Sequence, residues 1–146
     1  MTGLTRYQDP RTILATLRSA RTVAIVGLSR DPLRPSHFIG FYLKRHGYRI
    51  VPVNPREPEV LGQMSYPSLR DIPFPVDVVD VFRRPDAVPQ IARDAVAIGA
   101  KALWLQTGIT SEDAAARAKA GGLTVVMDLC IGATHSLLRV PPKPHV

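Results

Sequence analysis

Five short apolar runs recur along the chain, each closed by a turn and separated from the next by a segment long enough to cross back over a sheet. They are Thr22 to Val26 (TVAIV), Tyr48 to Val53 (YRIVPV), Val76 to Phe82 (VDVVDVF), Ala102 to Gln106 (ALWLQ) and Thr124 to Met127 (TVVM). Runs with so little polar alternation belong to strands covered on both faces. Between them, apolar residues return at helical spacing. Phe38, Ile39, Tyr42 and Leu43 mark a helix from about Ser36 to His46 that ends at Gly47, and a second runs from about Ala87 to Ile98 and ends at Gly99. A third follows Ser111, with Glu112 and Asp113 set against its dipole, and stops at Gly121-Gly122. Strand, helix and parallel strand joined in this way form right-handed crossovers. The fold class expected is α/β: a single Rossmann-like domain, an open five-stranded parallel sheet with helices on both faces. The expected strand order is 3-2-1-4-5, with the reversal between strands 1 and 4.

The remaining segments fit around that sheet. Asp9-Pro10 combines a capping acceptor with a first-turn proline, so residues 9–20 form a helix whose face of Ile13, Leu14, Leu17 and Ala20 packs on a neighbour. The proline-dense stretch after Asn54 reads as a stiff surface excursion with one short helical turn. The domain is taken as residues 1–138. Residues 139–146, RVPPKPHV, form a basic proline-rich tail with little to pack.

At 146 residues with 45% hydrophobic side chains, the chain has the size and composition of one globular domain. A single cysteine, Cys130, excludes an intramolecular disulfide and a cysteine-based zinc cluster, which favours a reducing, cytoplasmic setting. The first residues lack a signal-peptide core, and no run approaches the roughly 18 apolar residues of a membrane span. A formal charge of +7 admits polyanionic partners. Nucleic acid is the poorer candidate, because the basic residues are scattered through loops without aromatic interleaving or a recognition helix.

The first strand carries the strongest functional signal. It ends at Gly27-Leu28-Ser29, and after Arg30 and Arg34 the next helix opens near Pro35-Ser36. A glycine turn leading to free helix amides is a cradle for phosphate. The dinucleotide fingerprint is incomplete, since Ser29 and Pro32 stand where its second and third glycines belong. Ligands on open α/β sheets lie beyond the carboxyl ends of the strands. That rule gathers Gly27 to Ser29, Asn54 to Arg56, Phe82 to Arg84, Gln106 to Gly108 and Asp128 to Cys130 along one rim. An NAD enzyme would end its second strand with an acid for the ribose diol, whereas this chain offers Asn54-Pro55-Arg56. Arg56, Arg83 and Arg84 suit an additional ribose phosphate, which NADP and coenzyme A both carry. These residues alone leave the two open.

The chain resembles the small stand-alone CoA-binding proteins of bacteria, whose Rossmann domain is similar to that of the succinyl-CoA synthetase α subunit. The matching pieces are IVGLSRDPLRPSH, GYRIVPVNP, EVLGQMSYPSLRDIP, VDVVDVFRRPD, ALWLQTGI and MDLCIGATH, in family order from about Thr22 to His135. The resemblance implies that Gly27, Leu28, Ser29, Arg30 and Ser36 approach the diphosphate, with Arg34 in the same phosphate-facing cluster. Asn54, Pro55 and Arg56 would surround the adenosine and its phosphate, and Phe82, Arg83 and Arg84 would border the adenine or ribose. Leu105, Gln106, Thr107 and Gly108 would face the pantetheine, with Cys130 and His135 nearby and neither reacting. Thr107 replaces an acid common in the synthetases, and their phosphohistidine domain is not expected here. The implied function is binding of CoA or acyl-CoA by a regulatory module without catalytic or metal-binding residues, with a homodimer or protein partner possible. The alternatives are an NADP-dependent oxidoreductase and a nucleic-acid-binding protein.

Overall fold

The computed structural model describes residues 4–144. Strands β1 (Thr22–Val26) and β2 (Arg49–Val53) are joined by helix α2 (Pro35–Arg45), and helix α1 (Pro10–Ser19) precedes them. Strands β3 (Glu59–Val60) and β4 (Gln63–Met64) form a small antiparallel hairpin. Then come β5 (Val78–Val81), α3 (Val88–Ala97), β6 (Ala102–Leu105), α4 (Glu112–Ala120), β7 (Thr124–Val126) and α5 (Ile131–Leu137). The main sheet has five strands, all parallel, in the order β2-β1-β5-β6-β7. Among the described residues, no helix is long and apolar enough to cross a membrane.

The expected α/β class and parallel five-stranded sheet are present, with a different strand order. The third main strand, β5, was expected outside β2. It pairs instead with β1, Val23 opposite Val78 and Val26 opposite Val81. Two features account for this. All four β5 residues are buried, as befits a strand with neighbours on both edges. The outer edge of β2 is meanwhile occupied by the excursion that follows it, where the Tyr66 amide donates to Pro52 and the Asn54 amide to Tyr66. The reversal point of the sheet therefore lies between β1 and β5, side by side in space.

Helices cover both faces, and the strand alternation sorts the core accordingly. Ala24, Val26, Val51, Val79, Val81 and Leu105 pack with the alanines of α3 and α4. Ile25, Ile50, Val78 and Trp104 face the other way, towards α1, α2 and Ile131 of α5. Burial of these side chains supplies the main driving force, on the order of 25 cal/mol per Å² of apolar surface. Helix starts follow their sequence signals. Asp9 accepts from the Arg11 amide at α1, and Ser111 Oγ accepts from the Ala114 amide at α4.

The terminal segment packs, contrary to the sequence expectation. Val140 is buried and its amide donates to His135, while the Lys143 amide donates to the His46 carbonyl. The Lys143 ammonium donates to Arg18 at the end of α1. This seat needs Gly47, which has φ +91° and would drive a Cβ into the Lys143 carbonyl. Residues 145–146 of the tail lie outside the described residues.

Candidate functional site

At the reversal point, Gly27 leaves β1 with φ +89°, and a Cβ there would lie 2.5 Å from the Phe82 carbonyl oxygen. Only glycine lets the two strand ends meet so closely. Below the turn, Leu28 points into the core and is fully buried. Its carbonyl accepts from Asn54 Nδ2 at 3.0 Å, and Asn54 Oδ1 accepts from the Arg56 amide at 2.9 Å. One asparagine thus ties the end of β2 to the first turn and shapes the loop that carries Arg56.

The start of α2 is held by the same turn. The Ser29 amide donates to Ser36 Oγ at 3.0 Å, and Ser29 Oγ accepts from the Asp31 amide at 3.0 Å. Ser36 is buried and does not cap its own helix. Arg34 occupies the cap position without a side-chain capping bond, Pro35 has no N–H, and the His37 amide donates to the Arg34 carbonyl at 3.1 Å, so among the described residues the Ser36 amide is the one left to an acceptor from outside.

Above this floor is a cavity of about 760 Å³. The structure brings Gly27, Ser29, Arg34, Ser36, Asn54, Pro55, Arg56, Phe82, Arg83 and Arg84 together on its wall. Four arginines face two carboxylates there, Glu57 and Asp86. Arg34 lies 4.0 Å from Asp31, while Arg56, Arg83 and Arg84 have no ion pair among the described residues. The stem of Arg83 crosses Gly27, with its Cδ 3.2 Å from where a Cβ would stand. Arg30 does not line the cavity; it is exposed and reaches Glu57 at 3.5 Å. The wall also includes Pro35, Glu57, Asp86 and Ala87, which sequence reasoning missed. Asp86 directly follows Arg84-Pro85, and Glu57 directly follows Arg56, so adjacency to the arginines was the available signal.

The other half of the expected rim does not join this cavity. Leu105 and Gln106 are buried at the end of β6, where Gln106 Oε1 accepts from the Ile131 amide and fixes the start of α5. Thr107 and Gly108 are exposed on the following turn, with the Gly108 amide donating to Asp128. Cys130 is half-buried and caps α5 through a contact of its sulfur with the Ala133 amide at 3.5 Å. His135 lies away from the cavity wall. It is buried a turn down α5, its Nδ1 2.8 Å from the Tyr42 hydroxyl, and it meets the rings of Tyr42, His46 and Tyr48 edge-on. Burial, with the charges of His46 and Lys143, pushes its pKa down to about 4.

The two aspartates of the third strand run separate from one another. Asp77 accepts from the amides of Arg21 and Thr22 at 2.8 and 2.9 Å and lies 3.5 Å from Lys101. Asp80 sits in β5 opposite Ile25 and Trp104, fully buried, with neither carboxyl oxygen partnered. Burial raises its pKa well above the ordinary carboxylate value. Among the described residues, no group of three or more histidine, cysteine, aspartate or glutamate side chains could hold a metal ion.

A family model described as a CoA binding domain matches residues 21–136. The Uncharacterized protein YneT of Bacillus subtilis is 39% identical over 123 residues, which are 84% of this chain and 91% of that protein. Acetate–CoA ligase [ADP-forming] II of Archaeoglobus fulgidus is 33% identical over 95 residues, spanning 63% of this chain and 14% of the ligase. Among solved structures, a hypothetical protein from Pyrococcus horikoshii superposes with a TM-score of 0.87 at 35% identity, covering 90% of this chain and 92% of that one.

Proposed function

The chain belongs to the CoA-binding domain family, and from that premise we propose that it binds coenzyme A or an acyl-CoA in the cavity above Gly27, as a binding or regulatory module without catalysis of its own. The observation that carries this reading is the pairing of a glycine turn and open helix start with four arginines on the wall of one cavity. The ligand's diphosphate meets the Gly27 to Ser29 turn and the Ser36 amide at the start of α2, where the helix dipole favours negative charge. Arg56, Arg83 and Arg84 take the ribose 3′-phosphate, the group that sets CoA apart from its dephospho form, because planar guanidinium forks match phosphate oxygens. Phe82, half-buried beside them, offers an apolar border to the adenosine. The pantetheine arm leads from the diphosphate towards Thr107 and Gly108, which are solvent-exposed and leave its thiol end accessible to a second protein.

Thermal unfolding in the presence of CoA, dephospho-CoA, NADP and NAD tests this directly. A ligand at about 100 times its dissociation constant stabilises the fold by about 2.7 kcal/mol. CoA should raise the midpoint most and dephospho-CoA distinctly less. An equal response to CoA and dephospho-CoA would remove the arginines from the 3′-phosphate, and a response confined to NADP would replace this reading with a reductase. Mass spectrometry of the small molecule that copurifies from cells would identify any acyl group.

A further inference from the structure

A second basic hollow lies at the opposite end of the sheet, where β1 and β2 begin. It encloses about 600 Å³ and includes Arg21, Lys44, Arg49 and Lys143 on its wall, together with Thr22 and Gln63. Among the described residues, no carboxylate lines it. Asp77, whose charge reaches Lys143, is already engaged by the amides of Arg21 and Thr22 and by Lys101.

The donors here exceed the acceptors the protein supplies. Among the described residues, Lys44 gives one hydrogen bond, to the Leu61 carbonyl at 2.6 Å, and Lys143 gives one from its ammonium, to the Arg18 carbonyl. An ammonium has three donors, so each retains two. The Arg49 guanidinium lies over Phe74, its Cζ 3.7 Å from the ring centroid, and among the described residues it makes no hydrogen bond or ion pair. The Arg21 side chain has no hydrogen bond, ion pair or ring contact among the described residues. Four cations thus line one hollow whose wall, among the described residues, carries no carboxylate. Burial, then the neighbouring Arg21 charge, lowers the pKa of Lys143 despite the opposing field of Asp77.

We propose that this hollow is a second anion site, distinct from the cavity above Gly27, which takes a small anion with two or three linked phosphate groups. A single carboxylate or monophosphate would leave most of the four cations unneutralised. A linked di- or triphosphate carries comparable charge, and its many oxygens match guanidinium edges and ammonium protons. The hollow does not suit a nucleic-acid strand. Its cations line one hollow rather than a groove, and both nearby rings are covered, Tyr48 by Lys143 and Phe74 by Arg49.

Titration with inorganic tripolyphosphate, followed by backbone amide NMR on the full chain, tests the site independently of CoA binding. Saturable shifts are expected at Thr22, Tyr48 and Arg49, separate from any at Gly27 and Ser29. The double variant Arg21→Gln/Arg49→Gln should weaken the first set at least tenfold and leave the second unchanged. The single variant Arg21→Gln, whose side chain holds nothing in place, should weaken it severalfold in a fully native spectrum. Shifts confined to Gly27 and Ser29 would overturn the proposal, as would unchanged affinity in either variant. So would an equal response to monophosphate at the same concentration, or tighter saturation by a single-stranded RNA oligomer. Failure of CoA to bind the cavity above Gly27 would leave this outcome unaffected.

Discussion

Replacing Asp80 by asparagine should change how the stability of the fold depends on pH. The carboxyl group is fully buried between Ile25 and Trp104, and neither oxygen has a partner. Its pKa in the folded chain is therefore raised well above that of the unfolded chain. As pH climbs past the unfolded value of about 3.9, the unfolded chain releases this proton while the folded chain keeps it. The folded state then binds more protons, so stability declines with rising pH until the folded pKa is reached. The full slope is about 1.4 kcal/mol per pH unit. Asparagine has nearly the same shape and no proton to lose. Urea unfolding of both proteins at a series of pH values cancels the contribution of every other group in the difference. Above the unfolded pKa and up to the folded one, the wild type should lose stability relative to Asp80→Asn as pH rises, by at most about 1.4 kcal/mol per pH unit. Stability curves that stay parallel at every pH above about 4 would show that Asp80 ionises in the fold as it does in the unfolded chain, and that its oxygens are solvated or paired.

His135 should act in the opposite direction. Its pKa falls from 6.5 to about 4 on folding, so stability present above pH 6.5 is lost as pH falls towards 4, by about 3 kcal/mol in all. Comparing acid unfolding of wild type and His135→Gln measures this, and an identical acid limb would refute it. Gly27→Ala should cost more than about 1 kcal/mol in chemical unfolding, because a Cβ would strike the Phe82 carbonyl and the residue would be held at φ +89°; retention of both stability and CoA affinity would contradict the geometry. Arg56→Gln/Arg83→Gln should weaken CoA by tenfold or more in calorimetry and dephospho-CoA far less, and equal losses would place the 3′-phosphate elsewhere.

Much of the architecture was legible because it depends on local pattern. Apolar runs such as Val23 to Val26 and Ala102 to Leu105 leave no solvated face, and glycines and caps mark where each helix ends or begins. Strand order was not legible in the same way. Whether β5 joins β1 or β2 depends on which edge is free, and Tyr66 claims the edge of β2 from a stretch that reads only as loop. The hairpin of β3 and β4 was missed for a related reason, since two-residue strands have no periodicity, though its turn uses Leu61 and Gly62 at positive φ. The half of the site around Gly27, Asn54 and Arg83 could be read because those residues immediately follow strand ends. His135 could not, because the first turn of α5 carries it from the rim into the rings of Tyr42, His46 and Tyr48. The packing of residues 139–144 depended on a notch at Gly47, remote in sequence.

That notch also bears on how the molecule is made. Lys143 closes onto Arg18 across 125 positions, and it meets the end of α2 as well. During synthesis from the N-terminus, α1, α2 and the first two strands emerge with this groove still empty. They must wait for nearly the whole remaining chain to be translated before the last clasp forms. Contacts so far apart in sequence slow folding, because the intervening loop must be ordered before they contribute. The early half of a nascent chain therefore leaves the ribosome with one flank unlatched, and a product cut short before Lys143 keeps it so.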